Sequence, residues 1–215
     1  MMKKLFLASL ALLFVLAATS FGGILSDDEG ELSVQGTFFL PEGGDFDLFK
    51  SGFGGEVSYR EWVAFPWGLG LSLGYANWQT DKDSRHSYKI PNSSDFHGTV
   101  STLPLGINAY FNIIDWDNWN VILKTGFSYV FVESDVDFYY NGSRHDIDMD
   151  NAILWDIALE YDHTLTENLY LTLTGGFQTD LMKADSKFSD SIGRHNIHDT
   201  SFEAFFARAG LKFLF

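Results

Sequence analysis

Two polar stretches bring an acid, a hydroxyl and an imidazole within a few residues of one another: Asp83-Ser84 with His86, and Asp190-Ser191 with His195. Such a set performs nucleophilic catalysis only when folding aligns the three groups as a relay, and closeness in a polar loop does not do that. A third stretch sets His145 beside Asp146, Asp148 and Asp150, carboxylates at two-residue spacing. Carboxylate oxygens suit a hard divalent cation, and the same acidic edge also discourages strand-to-strand aggregation. Cysteine is absent, which removes thiolate nucleophiles, thiolate metal sites and disulfides. No catalytic residue, resident metal or cofactor is assigned from the sequence.

A different chemistry runs through the middle of the chain. Glu56, Arg60, Lys124, Asp156, Glu160, Asp162, Arg208 and Lys212 all sit at the polar positions of alternating stretches, four acids against four bases. The chain as a whole carries −15, so this local balance is a selection. Unpaired charge in a narrow, protein-filled space is costly, and balance is what such a space demands. Counting along the stretches puts Glu56, Asp156 and Arg208 near mid-height, with Arg60, Lys124, Glu160 and Lys212 lower. The strong acidity argues against nucleic acid as a partner, because phosphates attract basic surfaces.

The elements that position these charges are strands. Eight segments alternate apolar and polar residues, the first through Leu32, Val34, Phe38 and Leu40 and the last through Phe205, Ala207, Ala209, Leu211, Phe213 and Phe215. Each has about the 9–11 residues of a tilted membrane strand. Long polar connections (Gln79 to His97, Asp180 to Thr200) alternate with short ones ("WVAFPWG", "IIDWDNWN", "HTLTEN"). Trp62, Phe65, Trp67, Trp116, Trp119 and Tyr170 gather at the short-turn end, where an interfacial girdle would lie. The expected fold is all-β: an eight-stranded, antiparallel, up-and-down transmembrane β-barrel. Alternation by itself also fits a soluble barrel with its greasy face inward around a ligand; the terminal Phe215 and the tryptophan cluster favour lipid outside.

Residues 1–20 read as a secretory signal peptide, with Lys3 and Lys4 before an apolar run and Ala18 and Ser20 at the cleavage site. Residues 21–30 form a short mature extension and 31–215 the barrel. Two local features stand out. Asn141-Gly142 marks a hairpin turn; pairing Phe131 with Ile153 makes it a three-residue loop with Ser143 and turns Asp146, Asp148 and Asp150 to the face of Asp156, Glu160 and Asp162. Pro104 interrupts a strand, as a bulge or as a weak lateral seam.

The mature chain resembles small eight-stranded outer-membrane barrels of the OmpA/OmpX/OmpW type. Its tail, "RAGLKFLF", with Phe205, Leu211, Phe213 and the final Phe215, resembles the C-terminal signal read by the barrel-assembly machinery. The resemblance implies the outer membrane of a Gram-negative (diderm) bacterium, contact with lipid and lipopolysaccharide, and a monomer. It also implies two uses for a lumen: a salt-bridge gate of the OmpA kind, or sideways release of small apolar molecules of the OmpW kind, through a seam such as Pro104. A small barrel deacylase would resemble a Ser-His-Glu hydrolase with His-x-Ser on one strand, and no His-x-Ser occurs here. The first reading is therefore a non-enzymatic barrel with a charge-plugged lumen and acidic outer loops, in a structural or surface-interaction role, with divalent cations as candidate partners of those loops. A narrow pore or lateral conduit comes second, and a lipid-modifying enzyme last.

Overall fold

Two-residue alternation becomes strand wherever one face can be buried and the other can meet a different medium. A computed structural model describes residues 30–42, 49–80, 93–140, 143–189 and 194–215. The expected signal peptide, nearly all of the N-terminal extension, Asp83-Ser84 with His86, the Asn141-Gly142 turn and Asp190-Ser191 lie outside the described residues. The strands are β1 (Glu31–Pro41), β2 (Phe49–Ala64), β3 (Trp67–Thr80), β4 (Ser93–Trp116), β5 (Trp119–Tyr140), β6 (Ser143–Met149), β7 (Ala152–Thr166), β8 (Leu169–Met182), β9 (Ala184–Ser189), β10 (Arg194–Thr200) and β11 (Ala204–Leu214).

Eight of these close a barrel. β1 to β5 pair in sequence, β5 passes to β7, β7 to β8, β8 to β11, and β11 returns to β1, every pair antiparallel. The three tight turns at one end are Phe65-Pro66, Asp117-Asn118 and Glu167-Asn168. The chain end is clipped to the same rim, where Gly30 and Phe215 exchange two backbone hydrogen bonds of 3.0 Å.

Outside, the wall is apolar. Val34, Phe53, Leu69, Leu71, Leu105, Ile107, Phe127, Leu159, Leu173, Phe205 and Phe213 are all exposed. An apolar belt of this extent on a closed barrel suits hydrocarbon and not water. Inside, Ser33, Gln35, Thr37, Ser58, Ser72, Asn108, Thr172 and Thr174 are buried. The greasy-outside orientation is the one the structure adopts.

Above the barrel the chain departs from expectation in two ways. β5 pairs with β7 as Tyr129↔Ile153 and with β6 as Val136↔Ile147, reaching Tyr140↔Ser143. Phe131 therefore does not face Ile153, and Ser143 belongs to β6 and not to a three-residue loop. Between β6 and β7 the chain leaves strand at Asp150 and Asn151, and the alternation changes phase there. Ile147 and Met149 are buried while Asp146, Asp148 and Asp150 are exposed, on the face opposite to Asp156, Glu160 and Asp162. The reason is hydrophobic: in this phase two large apolar side chains leave water, and in the expected phase three carboxylates would have done so. Secondly, the polar stretch from Asp180 to Thr200 contains the β9–β10 hairpin, which docks on β6 through Asp148↔Lys187 and Met149↔Ser186. β5, β6, β9 and β10 thus form a sheet standing on the rim.

Candidate functional site

The lumen has three storeys. The lowest, beside the tight turns, is an ion network. Arg60 donates to Glu160 at 3.0 Å, lies 3.5 Å from Asp162, and pairs closely with Glu31. Lys212 donates to Glu160 at 2.6 Å, pairs closely with Asp162, and stands 3.5 Å from Glu31. The Arg60 guanidinium is also sandwiched, 4.7 Å from the Trp62 ring centre and 4.8 Å from that of Tyr110. Arg60, Glu160, Asp162 and Lys212 are all buried. Charges this far from water hold together only because each finds more than one partner.

The middle storey turns on Glu56. Its Oε1 accepts from Lys124 Nζ at 2.8 Å and from Arg208 Nη1 at 3.1 Å. The Arg208 guanidinium lies over the Phe206 ring at 4.2 Å. Asp156 lines the same cavity as Glu56 and Arg208. Counting along the chain places Lys124 lower; barrel stagger brings it level with Glu56.

Apolar side chains fill the upper storey. Phe39, Phe49, Trp78, Phe202 and Phe206 pack there with Val100, Val130 and Leu154. Trp78 lies 4.8 Å from Phe39, 5.6 Å from Phe49 and 5.8 Å from Phe202, centre to centre, and its indole donates to Thr102 Oγ1 at 3.1 Å. Phe202 caps the group. Its amide donates to Asp180 Oδ1 at 3.0 Å and its carbonyl accepts from Gln178 Nε2 at 2.6 Å.

Between β3 and β4 the wall of this storey has a lapse in its ladder. β3 and β4 pair from Trp67↔Phe111 to Leu73↔Leu105 and again from Ala76↔Thr102, in the same register. The rungs between, at Gly74 and Tyr75 opposite Pro104 and Leu103, are missing. Proline has no amide hydrogen to give to the ladder, and on its other side Pro104 stays in register with Val130 of β5. A bulge was the alternative, but no residue is inserted: the ladder lapses and resumes. The proline ring fills the gap. A Cβ on Gly74 would stand 2.8 Å from Pro104 Cγ, so glycine is required for the ring to fit. A cavity of about 40 Å³ runs from Phe39, Trp78, Val130, Leu154 and Phe202 to Gly74, Tyr75 and Pro104.

The candidate residues fall as follows. Glu56, Lys124, Asp156 and Arg208 form the middle storey with Arg60, Glu160, Asp162 and Lys212 beneath. Glu31 is an unforeseen member of the lower group, although it shares the parity of Ser33 and Gln35 and could have been counted. Trp62 leaves the expected girdle for the lumen mouth, where its indole donates to Glu31 Oε1 at 2.7 Å. Phe65, Trp67 and Trp116 are exposed on the rim, Trp116 edge-on to Trp119 at 4.2 Å. Phe205, Leu211, Phe213 and Phe215 are exposed on the outer wall. The inward aromatics were the largest omission. "TFFL" and "FEAFFAR" put one phenylalanine on each face, and the second of each pair, Phe39 and Phe206, has lumen parity.

Comparison with known proteins gives the fold and stops there. No protein-family model matches the sequence, and no curated protein matches it significantly. Among solved structures the chain is similar to the outer-membrane protein OprG of Pseudomonas aeruginosa, with a TM-score of 0.68 at 13% identity over 87% of this chain and 96% of that one. A major outer-membrane protein of Thermus thermophilus aligns with a TM-score of 0.54 at 15% identity, over 86% and 99%. AlkL, determined in DMPC bilayers, aligns with 0.52 at 13%, over 87% and 90%. The chain has the fold of small outer-membrane β-barrels.

Proposed function

We propose that this chain is a non-enzymatic barrel of a diderm outer membrane that takes small apolar solutes into its upper lumen and releases them sideways between β3 and β4. The observation that carries this reading is the cavity joining the buried aromatic storey to the two missing rungs at Gly74–Pro104 and Tyr75–Leu103. Two further features support it. An apolar solute gains by leaving water for Phe39, Trp78, Val130 and Phe202. The ion networks below offer it no path, because passing them would break several desolvated pairs at once. Side exit therefore replaces through-flow, and the second-ranked sequence reading moves ahead of the first.

Uptake of a fluorescent apolar solute by vesicles carrying the refolded protein tests the proposal. Pro104→Val restores an amide to the lapsed ladder and should cut uptake severalfold while the barrel still shifts on gels when boiled. Wild-type uptake no faster than that of protein-free vesicles would overturn the reading.

The surface-interaction role keeps a specific observation of its own. On the rim sheet Glu133, Asp135, Asp146, Asp148 and Asp150 are exposed on one face, and Asp137 stands directly opposite Asp146. Arg144 pairs with Asp137 and Lys187 with Asp150. Among the described residues no three acidic or imidazole groups converge as a metal site. Divalent cations at these strands would act as screening counter-ions, and the face favours a basic partner. At the other end the outward Phe215, Phe213 and Leu211 are proposed as the contact read by the assembly machinery.

A further inference from the structure

Of the aromatic side chains in the upper storey, Phe39 is carried by β1, Phe49 by β2, Trp78 by β3 and Phe206 by β11. Phe202 is different, because it lies in the non-strand residues 201–203 between β10 and β11. The β9–β10 ladder has ended at Thr200↔Ala184, and the β8–β11 ladder begins only at Ala204↔Gln178. Side chains of β8 hold the Phe202 backbone instead. Its amide donates to Asp180 Oδ1 at 3.0 Å and Oδ2 at 3.2 Å, and its carbonyl accepts from Gln178 Nε2 at 2.6 Å. Asp180 also accepts from the Ser201 hydroxyl. The chain is anchored to the wall again at Glu203, whose carbonyl accepts from the Glu42 amide at 3.3 Å. Yet Phe202 is only 1% exposed.

A ring on a ladder strand leaves its place only by breaking a run of backbone pairs. Phe202 is released when two side chains let go, which is the cheaper kind of local opening. Something must yield if a solute is to enter. The cavity beside these rings, about 40 Å³ with Phe202 as one wall, holds about three waters at about 10–15 Å³ each. Departure of the Phe202 ring adds the space of a benzene to it.

That space is already shaped for an aromatic guest. The Phe202 ring stacks on Phe49, 5.6 Å away at 19°, and leans on Trp78, 5.8 Å away at 58°. Trp78 is held in place through its indole, which donates to Thr102 Oγ1 at 3.1 Å. A guest ring repeats both contacts, whereas a saturated ring of equal size repeats only the burial. We infer that Phe202 is a displaceable plug, and that the slot it vacates beside Phe49 and Trp78 binds a monocyclic aromatic solute. Asp180 and Gln178 are positioning residues that act on the solute only through Phe202. The inference rests on the chamber reading proposed above and names its solute class.

Titration of fluorobenzene into nanodiscs carrying the refolded barrel, followed by fluorine NMR against empty nanodiscs, tests it. Wild type should bind fluorobenzene saturably, and about threefold or more tightly than fluorocyclohexane. Phe202→Ala leaves the slot open and should bind about tenfold more tightly than wild type, because affinity is no longer reduced by the closed fraction. Asp180→Ala keeps the ring and removes the hold on its backbone, so it should bind severalfold more tightly. This variant decides the matter where Phe202→Ala gives no barrel that shifts on boiling. No saturable binding by wild type, or variants that bind no more tightly than wild type, would overturn the plug. Fluorocyclohexane bound as tightly as fluorobenzene would overturn the aromatic slot. Each of these failures leaves the lateral route to be judged separately, by solute uptake and its response to Pro104→Val.

Discussion

Glu56→Gln should weaken this barrel markedly, because two buried cations share that one carboxylate. The carboxylate accepts from Lys124 at 2.8 Å and Arg208 at 3.1 Å, and the three side chains are 11%, 3% and 7% exposed. Glutamine keeps the shape and one acceptor, so it can hold one cation weakly and not two. Hydrogen bonds to charged groups contribute about 1.5–3 kcal/mol each, and breaking a buried pair costs about 3–5 kcal/mol because the surviving charge stays desolvated. Here two cations would be left with Asp156 alone, and a loss of about 4 kcal/mol in unfolding free energy is expected. The assay is urea unfolding of the refolded barrel in lipid vesicles, followed by tryptophan emission and by gel mobility with and without boiling. Adding Lys124→Met restores the balance of charge and should recover at least half of the loss. A Glu56→Gln loss below about 1 kcal/mol would refute the argument, since that is the range of solvent-screened pairs, and the middle storey would then be wet.

Three other outcomes follow from the same geometry. Arg208→Ala should leave planar bilayers silent, because Arg60 and Lys212 still close the lower storey; a stable conductance in that variant would make the network a gate. Phe202→Ala removes the cap of the aromatic group and should cost about 3–5 kcal/mol in urea unfolding while raising the binding of an apolar dye severalfold; unchanged dye binding would place the chamber entrance elsewhere. Gly74→Val sets a side chain against Pro104 Cγ and should cost about 1–3 kcal/mol by overpacking, with solute uptake falling alongside; uptake equal to wild type would remove the seam from the route.

The barrel was legible because a closed sheet between two media writes its two faces into alternate residues, and β1, β7 and β11 do so almost without exception. The charge set was legible for the same reason: Glu56, Arg60 and Arg208 occupy positions where a lipid-facing residue could not. Levels within the lumen were less so. Vertical position depends on stagger between strands, which alternation leaves undetermined, and Lys124 rose to Glu56 while Glu31 joined Arg60. The rim failed for a further reason. Where the hydrocarbon ends, a strand can put either face towards the core, and the two-residue break at Asp150 and Asn151 lets Ile147 and Met149 take the inside. Phe39, Trp78, Phe202 and Phe206 were hidden by the assumption that a lumen is polar throughout.

That assumption is where structure and function meet. A small lumen filled with polar groups alone would need only enough charge to balance itself. This one concentrates its charges in the lower and middle storeys and gives the upper storey to aromatics, next to the one stretch of β3 and β4 where a proline and a glycine replace two rungs. Stability does not ask for that coincidence. Pro104 sacrifices a backbone hydrogen bond that valine would make, and an aromatic cluster needs no broken wall to pack. On the proposed reading, a chamber closed below by ion pairs does need one, because its contents could otherwise leave only by the mouth through which they entered. On that reading the ion networks and the lapsed ladder are two parts of one device, a floor and a side door, and each makes sense of the other.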